Sequence, residues 1–332
     1  RIVYQKGNPE SPNNIGARCA KGMASWYVSQ DPDRLTHPLL RTNPKGERGE
    51  FKQVSWNEAF QFIADKLKHI ADEWGPEAVA LTCHHDPNTV FYHHLLKDLY
   101  GSPNMYAHTS GCEQDRRSAC LTLFGHVFPM HDFANSKYVM LWGMNNLGAN
   151  QGLWESRDLI EAQSKGCRLV VVDPSFTETA QKADEWVPIR PGTDGAMALA
   201  MCRVIIDDKL YDEEFVTKYC EGFNGFRDHL HEKGYTPAWA EEICGIEAET
   251  IARLAREFAT SKPAMSAIFK GSGYYTNGHD AGRACYILDA ICGEVDKPGN
   301  INLKDWAPLG SPVEIPENAM STPKRDPLHV AM

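Results

Sequence analysis

The stretch Arg168–Met201, RLVVVDPSFTETAQKADEWVPIRPGTDGAMALAM, decides the reading of the fold. Val170, Val171 and Val172 are consecutive and β-branched, the composition of a strand covered on both faces of a parallel sheet. Pro174 ends the ladder because it lacks an N–H, and Asp173, Ser175 and Thr177 have short polar side chains that favour a turn. RPGTD follows at 190–194 and leads into an apolar helical run. Chain leaving the carboxyl end of a parallel strand is where open α/β sheets bind ligands. The stretch therefore predicts a ligand-binding edge.

The same alternation extends in both directions. Strands are predicted at AVALT (78–82), KYVMLWG (137–143) and AMSAIF (264–269). Ser55 and Glu58 form a capping box, and Phe60, Ile63, Ala64, Leu67, Ile70, Ala71 and Trp74 then recur at helical spacing. Further helices are expected up to about Tyr100, over Leu153–Ser164, from Asp194 to about Ile206, in YDEEFVTKY (211–219), and over Glu247–Thr260 and Asp280–Cys292. Such alternation indicates an α/β architecture with parallel strands. Residues 7–49 read as loops and short strands, and the tail from Lys297 is proline-rich and irregular.

The chain has 332 residues and a net charge of −10, from 34 basic and 44 acidic side chains. That balance, with no basic run, argues against a nucleic-acid face. No segment approaches the roughly 18 uninterrupted apolar residues of a membrane span. The length suits two lobes. The opening RIVYQKGNPES resembles neither a signal peptide nor an initiating methionine, so processing or truncation is expected to have removed what preceded it. The ten cysteines include no C-x-x-C pair, which argues against a self-contained zinc site, and in a domain this large most are expected to be buried thiols.

Several predicted strand ends carry small and amide residues: WGMNNLGANQ (142–151), DPSFT (173–177) and GSGYYTNG (271–278). Residues of this kind let backbone N–H groups approach a phosphate or a heterocycle edge, although any tight turn also uses them. Three on one inferred edge, with RPGTD, point to an extended nucleotide-like ligand. GSGYYTNG lacks the G-x-G-x-x-G spacing, which weakens a nicotinamide-binding reading.

Six motifs occur in order: GNPESPNNIGARCAKG (7–22), DPDRLTHPLLR (31–41), VSWNEAF (54–60), LWGMNN (141–146), VVVDPSFTETAQKAD (170–184) and PIRPGTD (188–194). Together they resemble the large catalytic subunit of molybdopterin oxidoreductases of the dimethyl-sulfoxide-reductase superfamily. The likeness covers essentially the whole chain and is strongest to the branch of polysulfide, thiosulfate and arsenate reductases and periplasmic nitrate reductase. It implies the α/β, parallel-sheet lobes of that subunit. Residues 1–50 would be the remainder of a [4Fe–4S]-binding segment, 51–135 a lobe with the metal-ligand loop, 136–300 a dinucleotide-binding lobe and 301–332 a linker. The rest of the cluster segment and a C-terminal cap domain are expected to lie outside this sequence.

The resemblance implies molybdenum or tungsten held by bis-molybdopterin guanine dinucleotide, with a [4Fe–4S] cluster nearby. The segment containing Gly143, Asn145 and Asn146 would contact one dinucleotide. Asp173, Ser175 and Thr177 would hold its guanosine part, Gly192, Thr193 and Asp194 would close over the guanine, and Gly271 and Gly273 would share that edge. A carboxylate can accept from the ring N–H and amino group of guanine together. Taken alone, Asp194 reads as a helix N-cap, which is compatible with that role.

Cys19, in CAKG, matches the last cluster cysteine, with the other three ligands expected upstream. Lys21 matches a lysine between cluster and pterin, where its charge would favour reduced states; its plainer reading is a solvated surface lysine. Cys112, in TSGCEQDRRSACLTLFG, has the spacing of the metal-ligating cysteine before Phe124-Gly125, and a thiolate suits a sulfur-wrapped metal. Cys120, within ACLTLF, reads as core. Tyr274-Tyr275 stands where nitrate-reductase relatives carry a glutamine, which counts against nitrate. His84, His85 and Asp86 are candidate proton donors in a substrate funnel, whereas His93 and His94 face different directions on a helix.

The activity implied is transfer of an oxygen or sulfur atom to or from a small inorganic substrate such as polysulfide, thiosulfate or arsenate. A ferredoxin-like iron–sulfur subunit and a membrane-anchor subunit are the implied partners, with a periplasmic or membrane-associated place favoured over the cytoplasm. Two alternatives stay open: a molybdenum-free electron-transfer subunit of the same fold, and a non-redox hydratase on the same cofactor.

Overall fold

A computed structural model of the chain describes residues 2–11, 14–84, 92, 94–149 and 152–304, with backbone alone at 109 and 110. His85, Asp86, His93 and the tail beyond 304, all weighed above, lie outside the described residues. The chain divides into two compact units, one centred on Ala20–Cys112 and the other combining Lys6–Cys19 with Glu113–Trp306.

The first unit opens with helix α1 (Ala20–Ser29) and an antiparallel pair, β1 (Leu39–Arg41) and β2 (Phe51–Gln53), in which Leu40 faces Lys52. The Arg41 guanidinium holds the connecting loop by donating to the carbonyls of Asn43, Pro44 and Glu47 at 2.7–3.0 Å. Helix α2 (Trp56–Trp74) begins at the predicted capping box, with Ser55 Oγ accepting from the Glu58 N–H and Glu58 accepting from the Ser55 N–H. Its apolar stripe includes Trp56, Phe60, Ile63 and Trp74, and all four are exposed. Two short parallel strands follow, β3 (Leu81–Cys83) and β4 (Met105–Ala107), joined through a π-helical segment at His94–Tyr100. Their carboxyl ends bring the His84 and His108 rings into a stack 4.1 Å apart.

The second unit contains helix α3 (Gln114–Phe124), the short strand β5 (Met130–His131) and then the principal sheet. Its strands are β6 (Tyr138–Trp142), β7 (Arg168–Val172), β8 (Glu185–Val187) and β9 (Ala264–Ile268). All run parallel in the order β8-β7-β6-β9. Every residue of β6 and β9 is buried, as is β7 after Arg168, which explains sequences that are apolar throughout except for Ser266.

Helix α4 (Leu153–Ser164) forms the crossover from β6 to β7. Helices α5 (Asp194–Asp207), α6 (Glu213–Tyr219), α7 (Phe223–Glu232), α8 (Pro237–Cys244) and α9 (Ala248–Thr260) lie between β8 and β9. Helix α10 (Gly278–Cys292) follows β9, and β10 (Ile301–Asn302) returns to pair with β5. The apolar run of α5 packs against α8, α9 and α10, and α10 packs against α3 and β9. Between β6 and β9 the Trp142 indole N–H donates to Ser266 Oγ at 2.9 Å, satisfying its one polar group inside the core.

The strand order places the binding edge. From β6 the chain moves outward through β7 to β8, then crosses back to lay β9 on the other side of β6. The strand order therefore reverses at β6, and the carboxyl ends of β6 and β9 flank the switch point, where open α/β sheets bind ligands in a crevice.

Candidate functional site

At that crevice two glycines touch. Gly143, just past β6, has φ +56° and donates its N–H to Val172 O at 2.9 Å. Its own carbonyl accepts the Gly271 N–H at 3.0 Å. A Cβ at either position would come within 2.5 Å of the other glycine's Cα. Neither tolerates a side chain, so the ends of β6 and β9 close into one backbone floor. Gly273 is confined similarly, packed against the carboxylate of Asp115 at the start of α3. Burial raises the Asp115 pKa, and its buried Oδ2 has no partner among the described residues.

The two asparagines after β6 have separate duties. Asn145 braces the neighbouring turn: its Oδ1 accepts from Thr179 Oγ1 at 2.8 Å and its Nδ2 donates to Glu178 at 2.8 Å. Asn146 opens a one-turn helix at Asn146–Ala149, and its buried Nδ2 has no partner among the described residues. A buried amide donor without an acceptor costs about 1–3 kcal/mol, which a ligand oxygen would offset.

Beyond β7, the Asp173 side chain accepts from the Ser175 N–H at 2.8 Å, and its carbonyl accepts from the Trp186 indole at 2.8 Å. Thr177 Oγ1 caps the following turn by accepting from the Ala180 N–H at 3.1 Å. Ser175 is exposed. Burial raises the Asp173 carboxyl pKa.

The RPGTD loop leaves the carboxyl end of β8, the neighbour of β7 in the sheet. Thr193 Oγ1 donates to Arg190 O at 2.6 Å, and Gly192 adopts φ +76°. Thr193, not Asp194, occupies the cap position of α5, and Asp194 is the first helical residue. This corrects the cap reading of Asp194 by one position and leaves its carboxylate for another use. Asp194 is only 4% exposed. Burial, reinforced by repulsion from Asp173, pushes its pKa up to about 6. Two residues beyond β9's turn clasp the loop: Asn277 Nδ2 donates to Gly192 O at 3.0 Å, and the Tyr275 ring lies where a Gly192 Cβ would be 3.1 Å from it.

The predicted residues Gly143, Asn145, Asn146, Asp173, Ser175, Thr177, Gly192, Thr193, Asp194, Gly271 and Gly273 thus all belong to the carboxyl edge of the principal sheet. Sequence reasoning missed the clasp by Asn277 and Tyr275, the Trp186 bond to Asp173, and Asp115; all are long-range contacts without a local pattern. A cleft of ≈ 1130 Å³ elsewhere in this unit, lined by Phe215, Arg283 and Lys297 among others, contains none of the edge residues.

Cys112 ends the first unit, after a 3₁₀ turn at His108–Gly111, and is 7% exposed. It stands outside the apolar core cluster, whereas Cys120 is a fully buried member whose pKa burial pushes up to about 12. Glu113 pairs with Arg116 at 2.6 Å and with Arg117; burial opposes its charge, but the two guanidiniums hold its pKa below the usual carboxylate range. Lys21 is exposed on α1, and Cys19 is half-buried in the second unit. Among the described residues no group of three or more His, Cys, Asp or Glu side chains converges to hold a metal ion.

Residues 34–324 match the family described as molybdopterin oxidoreductase. The chain is 34% identical over 305 residues to the thiosulfate reductase molybdopterin-containing subunit PhsA of Salmonella typhimurium, covering 92% of this chain and 39% of that protein. It is 28% identical to the arsenate respiratory reductase molybdopterin-containing subunit ArrA of a Shewanella species, covering 93% and 39%. Among solved structures, acetylene hydratase from Pelobacter acetylenicus superposes with a TM-score of 0.75 at 31% identity, over 88% of this chain and 40% of that one. The chain thus spans about two fifths of the length of these relatives.

Proposed function

The chain belongs to the molybdopterin oxidoreductase family, and from that premise we propose that it is part of a catalytic subunit moving one oxygen or sulfur atom to or from a small inorganic substrate, with thiosulfate, polysulfide and arsenate the leading classes. The observation that carries this reading is the buried carboxylate pair Asp173 and Asp194 beside the Gly143–Gly271 crossing.

The edge residues fit a pterin guanine dinucleotide. Two neighbouring carboxylates suit the adjacent ring N–H and amino donors of guanine, which would relieve their mutual repulsion. The Gly143–Gly271 crossing packs the ends of β6 and β9 backbone to backbone, which fixes the turns that would surround such a group at one edge. The unpartnered Asn146 Nδ2 offers a donor to a phosphate or pterin oxygen. The chemistry such a cofactor supplies is two-electron exchange coupled to movement of a single atom. The chain's own contributions are to bind, orient and shield it.

Cys112 is the proposed metal thiolate, itself buried after an exposed turn and outside the apolar core. Lys21 is the proposed charge between cluster and pterin. Cys19 is one proposed cluster ligand; the described residues supply no complete cluster site, and a [4Fe–4S] cluster takes about four thiolates. The domain roles expected from the sequence are likewise proposals.

A hydratase is the second reading, favoured by the likeness to acetylene hydratase. The intact protein, purified from cells supplied with molybdate, separates the two. Oxidation of a reduced viologen on addition of thiosulfate, polysulfide or arsenate supports the reductase. Hydration of acetylene with none of these acceptors reduced supports the hydratase. Neither activity in protein that contains the metal and the pterin would reject both.

A further inference from the structure

Phe176, in the turn after β7, is a large aromatic residue that is 61% exposed. Its ring lies 5.0 Å from that of Trp186, tilted by 59°. Trp186 is fixed in turn, because its indole N–H donates to the main-chain oxygen of Asp173 at 2.8 Å. An exposed aromatic pair is thus locked to the backbone of Asp173, whose carboxylate is close enough to that of Asp194 to repel it. Burying such rings against water is favourable, and an isolated turn has no reason to hold them out together. A planar base over them would cover apolar surface and gain stacking, sequence-tolerant and worth about 1–3 kcal/mol per base.

We infer that Phe176, supported by Trp186, is the stacking platform for the base whose donors Asp173 and Asp194 accept. The inference rests on the guanine reading of those carboxylates and adds the surface against which the ring lies flat. The division of labour is physical. Every base has a π-face, so the platform supplies affinity without choice. The carboxylates supply choice, because guanine presents two adjacent donors where adenine presents a ring acceptor that they repel. Trp186 acts as a positioning residue: it bonds Asp173 and props Phe176.

The test uses GDP and ADP as probes on apoprotein from cells unable to make the pterin, followed by tryptophan fluorescence. Phe176 is exposed, so Phe176→Ala should fold, and circular dichroism checks this. Phe176→Ala is expected to weaken GDP and ADP by a similar factor, about tenfold, leaving their ratio unchanged. Asp194→Asn is expected instead to collapse the ratio. Trp186→Phe, which keeps a ring but loses the bond to Asp173, should weaken GDP less than Phe176→Ala does. Loss of GDP binding in Asp194→Asn but not in Phe176→Ala would overturn the platform and leave the guanine reading standing. Failure of the wild-type protein to bind GDP would overturn both.

Discussion

At the scale of single residues, Asp194 shows function set against stability. Its carboxyl titrates near 6 in the folded chain and has a reference value of 3.8. Between those values the folded protein binds more protons than the unfolded one, so stability falls as pH rises through that window. Its contribution is complete below about pH 4 and lost above about 6, at a cost of order 2 kcal/mol at neutral pH. Asp194→Asn should therefore raise the stability of the apoprotein at pH 7 by that order, measured by urea unfolding, and the gain should shrink toward pH 4. Equal stabilities at both pH values would refute the shift. Gly143→Ala should act oppositely, because the new methyl meets the Gly271 backbone and a positive φ; a loss of several kcal/mol is expected, within the range of overpacking and backbone strain. Cys112→Ser and Cys120→Ser separate two buried thiols. The first should abolish the thiolate contribution to the metal's X-ray absorption spectrum with a small change in stability. The second should leave the spectrum intact and reduce stability by about 1–3 kcal/mol, as a hydroxyl replaces a core thiol.

At the scale of elements, the legible ones have a local cause. Strands β6, β7 and β9 announce themselves as apolar runs because both faces are buried, and α2 because Ser55 and Glu58 form a reciprocal cap. Strand β8 was not legible: Glu185–Val187 is three residues long and carries a glutamate and an exposed tryptophan. Helices α7 and α8 also escaped, the first entered through Gly222 at φ +80° and the second only eight residues long. For the site, Asp173 is readable from turn chemistry next to a strand end, whereas Gly192 and Asp194 are readable only through the resemblance carried by RPGTD. The Asn145 brace, the Tyr275 clasp and the glycine crossing were not, since each joins segments from 33 to 128 residues apart and depends on the strand order. Two substitutions probe these elements. Leu141→Ala in β6 should cost about 2–5 kcal/mol because the site is fully buried. Ser55→Ala should cost about 1 kcal/mol through the lost cap.

At the scale of the whole molecule, the chain spans about two fifths of its relatives, and PhsA and ArrA are each named as a molybdopterin-containing subunit. A ferredoxin-like iron–sulfur subunit and a membrane-anchor subunit remain the partners proposed here; no described helix is long and apolar enough to cross a membrane. What unifies the second unit is the reversal of strand order at β6, which brings three turns and the glycine floor to one edge. Calorimetric titration of GDP and ADP into the apoprotein at pH 7.5 and again at pH 5 tests that arrangement most directly. Preferential binding of GDP, weakening as the pH falls below the value near 6 at which Asp194 takes up a proton, is the predicted result. Equal binding of the two nucleotides, or GDP binding that strengthens at pH 5, would contradict it.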